Sequence, residues 1–481
     1  MCFKKNLNIC LILFKHKLMK FNKVTPSLIA QLIEMFGKNA VFTDAETLDK
    51  HSRDYTENLS LLPEVVVEPQ NTEGVATLLK FCNAQLIPVT VQGARSGLAG
   101  GALPAEGGVV LSMKRFDRIL EIDNKNFQIT VEPAIITEHL QNILVEQNLF
   151  YPPDPAGRGL SFIGGNIGTN AGGPKCVKYG VTRDYVLNLE IVLANGEIMW
   201  TGADVLKNST GYNLTQLIVG SEGTLAVVTK IVLRVLPLPP FNLLLLAPFE
   251  NAEDACAAVA AIFMTGIIPS SLEFMEKTAV EMSAKYLNVK PLSVSDQLLI
   301  EVDGTDLTAL QNDCERIAEV LQDFNVGEIL YADSESQKRD LWQLRRNLGS
   351  AVKNLATLKF SEDTVVKRFK LPELLRGARK IAESNGLQTV CWGHLGDGNL
   401  HINIITEKEM TPEFYTAAQK AKKEIFELTK SLGGMLSAEH GVGLAQKPFI
   451  SIFYNQIHLD ILRGIKKVFD PNGILNPSKI F

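Results

Sequence analysis

No two cysteines in this sequence are spaced as CxxC. The seven that occur, Cys2, Cys10, Cys82, Cys176, Cys256, Cys314 and Cys391, are odd in number and widely scattered. That distribution excludes a disulfide framework, a zinc ribbon and a cysteine-ligated iron–sulfur cluster. It fits a reducing, cytoplasmic setting in which most of the thiols are small buried hydrophobes. Apolar runs of membrane length are absent near the start. The stretch Leu7 to Phe14, between Lys4-Lys5 and Lys15-His16-Lys17, is far too short to span a bilayer, and no small-residue cleavage site follows it. Residues 1–18 therefore read as an over-long or disordered leader, with a cleaved targeting peptide as the alternative. No spanning segment is read elsewhere, so any membrane contact is peripheral, through a partner or a surface patch. Charge of one sign is also scarce: 48 Lys and Arg against 53 Asp and Glu leave a net charge of −5. Such a balance gives no global attraction to nucleic acid, and no nucleic-acid partner is expected.

What is present is ordinary globular material, 46% hydrophobic and 21% charged, in a chain long enough for two or three domains. Residues 25–37 read as a helix behind a Thr-Pro start, 63–69 as a strand between prolines, and 71–85 as a capped helix. Up to Pro237 the pattern is β-rich and glycine-rich, and Asn195-Gly196 marks a hairpin between two strands. LPLPP (236–240) is the expected boundary. Beyond it strands and helices alternate, a helical stretch covers about 335–356, and helices packing on one sheet are expected. The chain thus divides into 19–237, 238–435 and a glycine-rich tail, 436–481, expected to return to the first domain. The class is α+β.

Three glycine clusters carry the first chemistry. Gln92-Gly93-Ala94-Arg95-Ser96-Gly97-Leu98-Ala99-Gly100-Gly101 follows a strand. Without side chains, its backbone N–H groups can approach a phosphate together, and Ser96 can add a hydroxyl donor. The spacing is neither GxGxxG before a helix nor GxxxxGK[ST], so a dinucleotide-fold NAD site and a P-loop both fit poorly. Pro152-Pro153-Asp154-Pro155 then leads into Ser161–Gly173, whose glycine density suits backbone wrapped on a flat, extended ligand. Val219-Gly220-Ser221-Glu222-Gly223-Thr224-Leu225 opens another strand. Together they point to a large dinucleotide.

The histidines carry the second. Of only seven, three fall in two motifs, Gly393-His394-Leu395-Gly396-Asp397-Gly398-Asn399-Leu400-His401 and Ser437-Ala438-Glu439-His440-Gly441. A tight turn at Gly396-Asp397-Gly398 would place His394 and His401 on adjacent antiparallel strands, facing one side, as two ligands of one metal. Glu439 can supply a hard third ligand and leave positions open. His440 is then free to act as a base. Spacing does not separate zinc, manganese and iron.

The glycine segments resemble the FAD-binding domain of the vanillyl-alcohol oxidase / p-cresol methylhydroxylase superfamily from about Pro63 to Pro237. With GHLGDGNLH, AEHGVG and the DPNGILNP tail, the resemblance narrows to the FAD-linked 2-hydroxy acid dehydrogenases. That family includes D-lactate and D-2-hydroxyglutarate dehydrogenases and the flavin-carrying component of glycolate oxidase. The resemblance implies a two-part FAD-binding domain plus a substrate (cap) domain with an antiparallel sheet. It implies FAD against Gly93, Ala94, Arg95, Ser96, Gly97 and Leu98, against Pro155, Ser161, Gly164, Gly165, Gly168, Thr169 and Ala171, and against Glu222 and Val228, with Asn476 near the flavin. Members with covalent FAD carry a histidine in the first loop; none is present here, so non-covalent FAD is expected. A divalent metal, Zn2+ or Mn2+, is implied on His394, His401 and Glu439, with His440 as general base and Arg345 holding the substrate carboxylate. Arg345 and Arg346 point in different directions on a helix, so at most one faces the site, and a solvated helix face is the alternative for Arg346.

Two departures bear on the substrate. Gly349 stands where 2-hydroxyglutarate enzymes carry a hydroxyl residue. Ser361 stands two residues before Asp363 where they carry lysine, and Lys359 falls two residues too early. A short monocarboxylate, lactate or glycolate, is therefore favoured. With no iron–sulfur ligands, electrons must leave to a quinone, an electron-transfer flavoprotein or a partner subunit. A homodimer is expected. Competing readings are an alkylglycerone-phosphate-synthase-like transferase on the same scaffold and a flavin-binding subunit of a larger complex.

Overall fold

Local chemistry sets the first elements. The Thr25 hydroxyl caps helix Pro26–Phe36, and the Asn71 side chain caps Thr72–Gln85. The computed structural model describes residues 21–57, 59–332, 334–356, 358–406 and 411–481, so the proposed leader lies outside the described residues.

The N-terminal half contains two main sheets. Val41–Phe42, Val65–Val67, Val109–Ser112 and Val89–Gln92 form the first, in that order, with parallel pairing around Val109–Ser112. Leu78, Leu79 and Val75 of the second helix and Leu32 of the first close over it, all fully buried. The second is antiparallel, in the order Ile119–Asp123, Gln128–Val131, Val227–Arg234, Val186–Val192, Ile198–Trp200. The last two are the strands joined at Asn195-Gly196, and Gly196 has the positive φ (85°) that such a turn needs.

The second glycine cluster contains a short helix. Ile163–Thr169 is a short helix ended by Asn170 in the left-handed region. Packing overrides the poor propensity: a Cβ on Gly164 would lie 2.5 Å from Pro133 Cβ, so glycine is what lets this turn sit against the neighbouring strand end.

Phe241–Phe249 opens a seven-stranded sheet in the order Leu330–Tyr331, Phe241–Phe249, Asp296–Gly304, Ser271–Met275, Gln388–Gly393, Asn399–Thr406, Leu358–Val365, antiparallel throughout. Alternation along these strands separates two faces. Leu272, Phe274, Leu298, Ile300, Ile402 and Ile404 face helices Ala252–Met264, Leu307–Leu321, Leu371–Ser384 and Pro412–Ser431. The other face packs part of its area on Lys277–Leu287, Glu335–Arg346 and Leu348–Leu355. Its remainder, carrying Asp363, His401 and Glu273, turns toward the N-terminal half. Helices therefore cover both faces of the one sheet, and the long stretch at 335–356 breaks at Asn347 into two. The chain finally returns to its first sheet, where Leu475 bridges to Val89.

Phe274 is fully buried at the centre of the larger core. Phe274→Ala should lower unfolding stability by about 3–5 kcal/mol in a urea titration, the range for emptying an aromatic site.

Candidate flavin and metal site

One cleft gathers the three glycine clusters. Gly93, Ala94, Arg95, Ser96, Gly97 and Leu98 line it together with Pro155, Ser161, Gly164, Gly165, Gly168, Thr169, Ala171, Glu222 and Val228, and Glu439 and His440 stand in its wall. Several of these glycines have no packing reason. A Cβ on Gly97 or Gly165 would meet nothing within 4 Å, so the backbone there is kept bare toward open space rather than toward the protein. Such bare backbone beside Ser96 fits a large ligand with a phosphate group. Asn476 does not line the cleft. It is buried, and its Nδ2 donates to the carbonyls of Gly101 (2.9 Å) and Glu222 (2.7 Å), pinning two of the lining segments together.

Glu222 ties the cleft to the histidine loop. Its carboxylate accepts the backbone N–H of Val442 (2.7 Å) and Gly443 (2.8 Å). Gly443 has φ +49°, and a Cβ there would lie 2.1 Å from the Ala99 carbonyl oxygen, so loop and cleft meet backbone to backbone. Lys479, with its Nζ donating to the Leu103 carbonyl, is buried beneath; burial pulls its pKa down to about 7 against the carboxylates of Glu222 and Asp54.

The two histidine motifs converge on one carboxylate oxygen. Glu439 Oε1 lies 3.3 Å from His394 Nε2, 3.6 Å from His401 Nε2 and 3.8 Å from His440 Nε2. His401 stands on strand Asn399–Thr406, while His394 falls just past the end of Gln388–Gly393, ahead of the turn Leu395–Asp397. Each imidazole turns its other nitrogen to an acid. His394 Nδ1 is 2.8 Å from Glu273 Oε1, His401 Nδ1 is 3.4 Å from Asp363 Oδ1, and His440 Nδ1 is 3.9 Å from Asp363 Oδ2. Acids behind histidines fix ring orientation at metal sites.

Asp363 is part of a group of four, with His401, Glu439 and His440, whose donor atoms lie within 4.8 Å of one another. Yet its oxygens are already engaged. Oδ2 accepts the backbone N–H of Ala438 (2.9 Å), Glu439 (2.7 Å) and His440 (2.8 Å) and the Ser437 hydroxyl (2.9 Å), and Oδ1 accepts from Asn399 (2.9 Å). Asp363 therefore shapes the loop, and Glu439 faces the Nε2 atoms of His394, His401 and His440. Sequence reasoning alone does not single out Asp363 or Glu273 as a site residue. The available signal is a carboxylate inside an otherwise apolar strand, SLEFM for Glu273, which burial makes costly without partners.

Arg345 is buried (4% exposed) and its Nη2 lies 2.6 Å from Glu273 Oε2; its Nε is buried with no hydrogen-bond partner. An arginine half engaged in this way retains donors for an anion. Arg346 differs from the solvated reading: Nη2 reaches Asp154 Oδ2 at 3.0 Å, in the opposite half of the molecule. Lys178 and Tyr179 bond Asp303, and Lys175 bonds Glu301, across the same seam. These contacts hold the large sheet over the cleft.

Electrostatically, the centre is built for positive charge. Burial pushes the His394 pKa down, but Glu273 and Glu439 outweigh it and hold it up at about 10. Burial raises Glu439, but His394 and then His401 and His440 bring it to about 2. Metal-free protein should thus show two arms in a plot of melting temperature against pH. The Glu439 contribution is present above its ordinary value of 4.5 and lost as pH falls toward about 2. The His394 contribution is present below 6.5 and lost as pH rises toward about 10. His394→Gln should flatten the alkaline arm; an arm of equal size in the variant would contradict this assignment.

Residues 63–202 match the family described as FAD binding domain, and residues 238–480 match that described as FAD linked oxidases, C-terminal domain. Over 96% of this chain and 98% of the relative, the sequence is 36% identical to a D-lactate dehydrogenase of Anaerostipes hadrus. It is 37% identical to glycolate oxidase subunit GlcD of Bacillus subtilis, over 95% of this chain and 97% of the relative. The structure of p-cresol methylhydroxylase with substrate bound shares the fold, with a TM-score of 0.78 at 18% identity over 93% of this chain and 95% of that one. With both domain signatures in place and relatives spanning nearly its full length, the chain belongs to the FAD-linked oxidases.

Proposed function

We propose that this enzyme oxidises a small D-2-hydroxy acid to the 2-oxo acid, using non-covalent FAD and a divalent metal held by His394, His401 and Glu439. The observation that carries the reading is the convergence of three imidazole Nε2 atoms on Glu439 Oε1 in the wall of the glycine-lined cleft. The relatives' names, D-lactate dehydrogenase and glycolate oxidase subunit, support the substrate class.

Bound FAD supplies the two-electron acceptor, and a divalent ion, Zn2+ or Mn2+, supplies the charge that acidifies a coordinated hydroxyl. The protein's own groups do the rest. His440, at 3.8 Å from Glu439 and the more exposed of the converging imidazoles, accepts the hydroxyl proton at Nε2. Asp363, at its Nδ1, stabilises the imidazolium that results. Arg345 holds the substrate carboxylate through the donors that Glu273 leaves free, and Glu273 keeps both Arg345 and His394 in place. Asp154–Arg346 and Lys175–Glu301 join the two halves of the molecule.

The small-acid preference rests on two positions. Gly349, four residues after Arg345, offers no hydroxyl, and Ser361, two residues before Asp363, offers no cation at that place in the strand. Electrons leave to a separate acceptor, a quinone, an electron-transfer flavoprotein or a partner subunit; the likeness to a glycolate oxidase subunit supports the last.

Anaerobic mixing of the metal-loaded holoenzyme with D-lactate or glycolate should bleach the flavin band. His440→Ala should slow that bleaching by about 10²–10⁴-fold, the range for a lost general base. A flavin band that no 2-hydroxy acid bleaches would contradict the reading.

A further inference from the structure

Strand register shows what lies beside the histidines. Residues paired across antiparallel strands point to the same side. Trp392, His401 and Asp363 therefore form one row, Val390, Asn403 and Ser361 the next, and Gln388, Ile405 and Lys359 the row after that. Lys359 is two rows from the converging imidazoles, on the same face, and its side chain leans back toward them. Its Nζ stands 5.9 Å from the centre of the Trp392 ring, and that ring is 6.3 Å from the ring of His401.

The opposite half of the molecule contributes Glu57, whose Oε1 is 3.7 Å from Lys359 Nζ. Both side chains are largely covered, at 10% exposure for the lysine and 21% for the glutamate. The separation is longer than a direct hydrogen bond. Burial lowers the lysine and raises the glutamate, and each charge offsets part of the other's cost, with Lys353 a second cation nearby.

We propose that Glu57 masks Lys359 and thereby makes the Glu57–Lys359 pair the device that rejects 2-hydroxy acids bearing a second carboxylate. This rests on the 2-hydroxy acid reading above and assigns its specificity. A distal carboxylate on a substrate held at Arg345 and His440 meets a cation that already has an acidic neighbour, and it meets the repulsion of that neighbour. A methyl group or hydrogen in the same place meets neither. Removing the negative charge of Glu57 leaves Lys359 as an unpaired, covered cation on the site's own face, ready for a distal carboxylate.

The test compares the wild-type holoenzyme, Glu57→Gln and the double variant Glu57→Gln/Lys359→Met. The quantities are kcat/KM for D-2-hydroxyglutarate relative to D-lactate, and the dissociation constants of 2-oxoglutarate and pyruvate read from the flavin band without turnover. In Glu57→Gln both ratios should move toward the dicarboxylate by at least about tenfold, the effect of one added charge-assisted contact. In the double variant the gain should disappear. Unchanged ratios in Glu57→Gln would overturn the proposal, as would a gain that survives loss of Lys359, since that would report added space rather than the cation. If no 2-hydroxy acid reduced the flavin of any form, the underlying reading would fall instead, and the two 2-oxo acid constants would still decide the role of the pair.

Discussion

Asp363 gathers three consecutive backbone N–H groups and a serine hydroxyl on one buried oxygen, and the geometry of the site depends on that cluster. The loop Ser437–His440 has no regular secondary structure to hold it, so its Glu439 and His440 N–H groups depend on this carboxylate. Closing them onto Asp363 sets where Glu439 and His440 stand. The same carboxylate faces the Nδ1 atoms of His401 and His440, whose rings stack 5.3 Å apart. A negative charge so heavily hydrogen-bonded stays ionised, well below the usual carboxylate range despite burial, because His440 and His401 and the backbone donors oppose desolvation. One interaction thus links strand register, loop shape and the direction of two imidazoles.

A second constraint comes from joining the halves. The flavin cleft lies in the first half and the histidines come mainly from the large sheet, so chemistry requires the two to meet within ångströms. Glu222 does this from the cleft side through Val442 and Gly443, while Asn476 of the tail fixes the Gly101 and Glu222 segments to each other. Gly443 permits the approach because no side chain fits between its Cα and Ala99. The ion pairs of the seam add orientation. Their exposed members contribute little stability on their own, but the acids they meet, Asp303 and Glu301, are buried and would be costly alone.

Much of this was legible in the sequence, for physical reasons. Alternating β-branched residues and Asn-Gly located the strands and the hairpin. Glycine clusters flagged backbone kept bare, and the Gly396–Gly398 turn brought His394 and His401 near each other, with ring centres 5.3 Å apart. What escaped depends on tertiary partners. The helix Ile163–Thr169 is tied by the Gly164 N–H to the Pro133 carbonyl, a contact that no local propensity encodes. Arg346 found Asp154, 192 residues away, and is only half-buried there. Glu273 and Asp363 resemble any strand acid until the rows of the sheet put them behind the histidines. Asn476, expected near the flavin, fastens two of the segments that line the cleft, Gly101 and Glu222.

The central claim is that the converging imidazoles and Glu439 hold a divalent ion beside the flavin. Elemental analysis of the purified, chelator-free protein tests it most directly, beside His401→Ala and Asp363→Asn. The account predicts about one divalent ion per wild-type chain, loss of that ion in His401→Ala, and affinity weaker by roughly 10–100-fold in Asp363→Asn, where only the supporting acid is changed. A wild-type chain that binds no divalent ion, or one whose metal content is indifferent to His401, would contradict it.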